Sequence, residues 1–205
     1  MSQKVRIGIL VSGGGTNLQA LINAQKSGII ANGEIVVVIS NKPGVYALQR
    51  AADNQIPSAV VSSAKVDTQE FENAVLKILK EFQVDLVVLA GFMSILSPDF
   101  IAQYPNRILN IHPSLIPSFC GKGYYGLRVH KAALAYGVKV TGATVHFVNE
   151  IPDGGKILLQ KPVAIQPDDT PETLQRRVME QAEWIILPQA VEQVCQAIVG
   201  KDELK

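Results

Sequence analysis

Eight residues, VDLVVLAG (84–91), set the strongest limit on what this chain can fold into. The run is apolar almost throughout and far shorter than the ~20 residues that cross a bilayer. A strand that is apolar on both faces must be covered on both faces, as a central strand of a parallel sheet is. The surrounding sequence supplies such a sheet. VRIGILVS (5–12), EIVVVIS (34–40), SAVVS (58–62) and RILNIH (107–112) read as further strands. Helical patterns lie between them. NLQALINAQKSG (17–28) puts Leu18, Leu21 and Ile22 on one face and stops at Gly28. VYALQRAADNQ (45–55) is a second helix. DTQEFENAVLKILKEFQ (67–83) spaces Phe71, Val75, Ile78, Leu79 and Phe82 helically behind an Asp67/Thr68 cap. SPDFIAQY (97–104) is a short helix with Pro98 in its first turn. The pattern then changes. KVTGATVHFVN (139–149) and GKILLQKPVAI (155–165) are consecutive strands joined by the turn-like EIPDG, an antiparallel pair on an otherwise parallel sheet. A helix over 170–187 follows, and Pro188 is expected to kink or break it before 189–200. The alternation predicts an open, mostly parallel α/β sheet.

At 205 residues the chain reads as a single domain, 1–205, and its 47% hydrophobic content is enough for a sizeable core. A net charge of +1 marks no basic surface, so nucleic acid is not an expected partner, and no apolar run is long enough for a membrane span. The MSQKVRIGILVSGGG start lacks a signal peptide's cleavage site, and the KDEL tetrapeptide is followed by Lys205 rather than ending the chain. Cys120 and Cys195 are far apart, without a close-spaced partner set for a disulfide or zinc. A reducing, cytoplasmic setting fits best.

In open α/β sheets ligands sit at the carboxyl ends of the strands. The first such loop is SGGGTN (12–17), where three glycines allow a sharp turn and Thr16 or Asn17 can cap a helix whose N–H groups attract phosphate. Walker A would need a lysine here, and the dinucleotide fingerprint would need glycine in place of Leu18 and an acid in place of Asn41 or Lys42. A phosphate site without nicotinamide is the better reading; a tight structural turn is the plain alternative.

RILNIHPSLIP (107–117) carries the second signal. Asn110 and His112 are two residues apart on a strand, so both point to one face at the ligand rim, and Pro113 and Pro117 stiffen the exit. An amide and an imidazole can both bond an oxygen that becomes negative when a carbonyl carbon turns tetrahedral, and the imidazole can move a proton. A carboxylate would hold that imidazole charged and oriented, and Asp153 in the glycine turn is available. His130 and His146 read as packing or supporting residues. With no Gly-x-Ser-x-Gly elbow and no activated cysteine, the attacking group belongs to a second substrate.

Together LVSGGGTNLQALI, DLVVLAGFMSILSPDF, ILNIHPSLIPSF, VTGATVHFV and DGGKILLQ resemble the phosphoribosylglycinamide formyltransferase family over nearly the whole chain. The resemblance implies the formyltransferase fold, a Rossmann-like sheet with a folate cleft, and transfer of the formyl group of 10-formyltetrahydrofolate to glycinamide ribonucleotide, without a metal. It divides the chain into a ribonucleotide half (1–100) and a catalytic, folate-binding half (101–205). It implies that Asn110, His112 and Asp153 are catalytic and that Gly14, Gly15, Thr16, Asn17 and Glu183 meet the ribonucleotide. Met93, Ser94, Ile95, Leu96, Asn110, Asn149, Glu150, Ile151, Pro152, Asp153 and Gln69 would meet the folate. A monomer or weak homodimer is expected. Four features depart from the family pattern: Gln69 and Ser94 replace arginines, the loop FCGKGYYGLRVHKAAL is several residues longer, Trp184 replaces histidine, and the preceding helix runs one residue out of register.

Two related formyl-group enzymes share the Asn–His–Asp core. A methionyl-tRNA formyltransferase would add a nucleic-acid-binding domain, and a formyltetrahydrofolate hydrolase an N-terminal regulatory one. A non-catalytic folate or nucleotide module would bind without turnover.

Overall fold

The computed structural model describes residues 4–64 and 66–201. The first three residues and most of the KDELK end, on which the terminal readings bear, lie outside the described residues. Seven strands, β1 (Val5–Val11), β2 (Gly33–Ser40), β3 (Ser58–Val60), β4 (Leu86–Leu89), β5 (Ile108–His112), β6 (Val140–Phe147) and β7 (Ile157–Ala164), form one sheet in the order β3-β2-β1-β4-β5-β6-β7. β1 to β5 pair in parallel; β6 is antiparallel to both β5 and β7. The expected architecture is therefore present, antiparallel pair included.

Period-2 alternation divides the core. Ile7, Ile9 and Val11 face one side, where they pack with α1 (Thr16–Ser27), α2 (Tyr46–Asp53), α6 (Pro171–Val178) and α7 (Trp184–Gly200). Leu10, Val37 and Ile39 face the other side, under α3 (Thr68–Glu81) and α4 (Pro98–Ala102). α5 (Leu127–Tyr136) follows the long loop and packs on α6. Gly8 lets α3 lie close, because a Cβ there would come within 2.8 Å of Leu79 Cδ2. Among the described residues, no helix is long and apolar enough to cross a membrane.

Three local expectations are corrected. α7 continues unbroken through Pro188, and an irregularity lies just upstream, where Met179–Glu183 form a π-helical turn. Pro188 has no N–H to give the carbonyl of Trp184, so the helix carries on past one missing bond. The side-chain caps of α1 and α3 are also absent. The α1 cap is Gly15 at φ +70°, which has no side chain to bond back, and Thr16 is already helical. Asp67 is the N-cap of α3 by position only. α4 does carry its cap: Ser97 Oγ accepts from Phe100 N at 3.2 Å, with Pro98 beside it.

Candidate active site

The carboxyl ends of β1, β4 and β5 open into one cleft of about 860 Å³. At its α1 end stand Thr16 and Asn17, together with Glu183 from the π turn. Met93, Ser94, Ile95 and Leu96 line one wall after β4, and Asn149, Glu150, Ile151, Pro152 and Asp153 line the other. Asn110 and His112 lie between, on β5. The β4 loop is tied down twice: Met93 N donates to Ser12 Oγ at 2.8 Å, and Asn41 Nδ2 donates to Ser94 Oγ at 3.0 Å.

Three expected residues do not line the cleft. Gly14 and Gly15 shape the loop behind it. The Gly14 carbonyl accepts from Arg50 Nε at 2.8 Å, and a Cβ on Gly15 would come within 2.7 Å of Ala47 Cβ. Gln69 is exposed in the first turn of α3, two residues before Phe71, which stacks on the cleft-lining Phe92 with ring centroids 6.4 Å apart.

Asn110, His112 and Asp153 meet. Asn110 Nδ2 lies 3.4 Å from Asp153 Oδ1, and His112 Nδ1 lies 3.4 Å from Asp153 Oδ2. The loop after β5 closes the cluster: His112 Nε2 is 2.9 Å from the Phe119 carbonyl, and Gly121 N donates to Asp153 Oδ2 at 2.8 Å. Because a carbonyl only accepts, His112 Nε2 carries a proton and Nδ1 faces the carboxylate. Burial lowers the His112 pKa, against the pull of the Asp153 charge. For Asp153 burial acts the other way and is outweighed: the facing His112 and the Gly121 N–H hold the carboxyl below its usual range. The two groups facing the ring are both acceptors, so the Asp153 carboxylate favours a second proton on Nδ1 while burial opposes it.

A fourth polar residue belongs to this cluster. His146 lies directly opposite Asn110 in the β5–β6 ladder, with Nε2 3.1 Å from Asn110 Nδ2. Opposed residues of an antiparallel pair share a face, so the signal existed in the sequence but needed the register. Lys42 and the loop residues 121–126 also line the cleft, and nothing in their spacing marked them.

At the other end, Asn17 Nδ2 donates to Glu183 Oε2 at 2.7 Å. Glu183 is buried in the cleft wall, and burial pushes its pKa up to about 7, against the Asn17 bond. Asn17 Oδ1 has no partner among the described residues, and both Gly13 and Gly14 face open space. The start of α1 thus offers uncapped N–H groups to an anion. Among the described residues, no three His, Cys, Asp or Glu side chains stand together as metal ligands.

Residues 5–191 match the formyl transferase family. The chain belongs to that family. Within formyl transferases it is 45% identical over 184 residues to the phosphoribosylglycinamide formyltransferase of Haemophilus influenzae, covering 89% of this chain and 84% of that one. It is 46% identical over 203 residues to the trifunctional purine biosynthetic protein adenosine-3 of Gallus gallus; the match covers 98% of this chain but only 20% of that relative's length. The crystal structure of glycinamide ribonucleotide transformylase 1 from Symbiobacterium toebii superposes with a TM-score of 0.89 at 39% identity, covering 96% of this chain and 90% of that one.

Proposed function

We propose that this formyl transferase moves the formyl group of 10-formyltetrahydrofolate to the amine of glycinamide ribonucleotide, giving formylglycinamide ribonucleotide and tetrahydrofolate. The observation that carries the reading is the meeting of Asn110, His112 and Asp153, from two separate segments, at the rim of a cleft that also has an open helix N-terminus. In this reading the ribonucleotide phosphate meets the N–H groups of the Gly14–Asn17 turn, and Glu183 accepts a donor from the same substrate. The pterin lies between Met93–Leu96 and Asn149–Asp153, whose Leu96 is buried and whose neighbours Leu89 and Val148 are apolar.

The amine attacks the formyl carbon. Its oxygen gains negative charge and takes hydrogen bonds from the Asn110 amide and the His112 Nε2–H now donated to Phe119. Asp153 favours the imidazolium of His112 as that charge grows. The carbon–N10 bond then breaks, the amine loses its proton, and N10 of the folate gains one through water. Each donor in such a site is worth roughly 10²–10³ in rate, and holding the amine against the formyl carbon supplies much of the rest. No step calls for a metal.

The test is to mix the purified protein with both substrates and follow folate absorbance. Turnover should require both. Consumption of 10-formyltetrahydrofolate with water alone, at the same rate, would replace transfer by hydrolysis; binding of both without turnover would leave a binding module.

A further inference from the structure

The orientation of the Asn110 amide is settled by a neighbour outside the catalytic set proposed above. Both ring nitrogens of His146 are engaged. Nδ1 lies 2.8 Å from the backbone oxygen of Phe147, which can only accept, so Nδ1 carries a proton. A neutral ring then has a bare lone pair on Nε2. The Asn110 amide, 3.1 Å away, must present its nitrogen there rather than its oxygen. The second contact of that amide agrees, since the same nitrogen faces Asp153 Oδ1, also an acceptor, at 3.4 Å. His146 Nε2 itself stands 3.7 Å from Asp153 Oδ1, beyond a hydrogen bond.

The backbone around His146 is shaped to hold the ring there. In the β6–β7 ladder Val145 faces Leu159 while His146 faces Ile157, so β7 has one extra residue at this point. A bulge of this kind re-aims the side chain opposite it. Gly155 contributes as well: a Cβ there would collide with the Phe147 carbonyl that fixes the ring. His146 is 2% exposed, so water does not compete for either nitrogen.

We propose that His146 is a positioning residue: as the Nδ1–H tautomer it fixes the Asn110 amide with its nitrogen on the side of Asp153. Of the two N–H groups, the one on the longer 3.4 Å contact to Asp153 is then free to turn to an oxygen that gains negative charge, where a reversed amide would offer a carbonyl oxygen. The kinetic consequence rests on the formyl-transfer reading; the tautomer and the amide orientation do not.

The experiment has two arms. Nitrogen NMR on protein labelled in histidine and asparagine should show His146 protonated at Nδ1 and bare at Nε2. The Asn110 side-chain amide signal should move strongly in His146→Leu and little in His146→Gln, whose Oε1 restores an acceptor. In steady-state assays His146→Leu should lower kcat roughly tenfold with both KM values nearly unchanged, and His146→Gln should recover most of it. In an Asn110→Ala background His146→Leu should cost nothing more. A proton on Nε2, an unchanged kcat in His146→Leu, or the same loss in both backgrounds would overturn the proposal. A wild-type protein without transfer activity would sink the formyl-transfer reading instead, and the nitrogen spectra would then decide the amide orientation alone.

Discussion

At the β5–β6 end of the cleft, Asn110, His112, His146 and Asp153 hold one another through contacts of 3.1 to 3.7 Å, and backbone groups of Phe119, Gly121 and Phe147 fix the remaining atoms. At the α1 end the polar groups are left open. Gly15 supplies no cap, Asn17 Oδ1 has no partner among the described residues, and the buried Glu183 carboxyl, at the cleft wall, takes a bond from Asn17. The difference follows from what each end must do. Groups that meet a charge appearing during reaction work best when already oriented, because no reorganisation remains. Groups that meet a phosphate carried in by a substrate can stay unsatisfied until it arrives.

Variants at the two ends should therefore fail differently. Asp153→Asn is expected to lower kcat on the order of 10³-fold with KM values within a few fold, and Asn110→Ala about 10²-fold. Steady-state kinetics check both; a large loss of folate affinity with normal turnover at saturation would break the contrast. Gly15→Ala should act on the other parameter. It forces a side chain onto a backbone at φ +70° and against Ala47, and should raise the ribonucleotide KM about tenfold with kcat little changed, while costing roughly 1–3 kcal/mol of stability. A kcat effect larger than the KM effect would show that the loop shapes chemistry, not only binding.

Two smaller effects separate the ends by pH. Glu183 has a folded pKa of about 7 against 4.5 unfolded, so its contribution to stability is full below 4.5 and lost as pH rises through 7. Glu183→Gln should melt a few degrees above the wild type at pH 8, with the gap closing toward pH 5. His130, behind the catalytic cluster, has the opposite sign. Both its ring nitrogens lack partners among the described residues, and burial, then the nearby His112, lower its pKa from 6.5 to about 4. Its contribution is full above 6.5 and lost as pH falls through 4. His130→Leu should flatten the fall of Tm between those values, as calorimetry would show. A steeper fall would mean the ring has a partner that the present packing does not reveal.

What was legible in the sequence follows the same division. Asn110 and His112 could be placed on one face because a strand has a period of two, and both come before any long-range choice. Asp153 was reachable because a glycine turn between two strands has few places to go. His146 was not, because its role depends on the β5–β6 register and on the β7 bulge, which no local pattern encodes. For Gln69 only family likeness speaks: it is exposed in the first turn of α3, close to the cleft wall through the Phe71–Phe92 stack, but does not line the cleft. The strands of 84–91 and 107–112 were readable from apolar runs alone, although the ladders inside them are shorter. The π turn at Met179–Glu183 had no such signal, since an apolar pattern does not distinguish it from an ordinary helical turn.

That turn has a consequence for comparing sequences. An α-helix turns about 100° per residue, so removing one residue between 179 and 183 would rejoin α6 and α7 as an unbroken rod and swing Glu183 away from Asn17. Leu174 and Val178 would keep their places, since their numbering is anchored upstream. An alignment that crosses this stretch without a gap therefore hands the buried acid's position to a neighbour, and errors of that sort would look like functional divergence where only a phase offset exists.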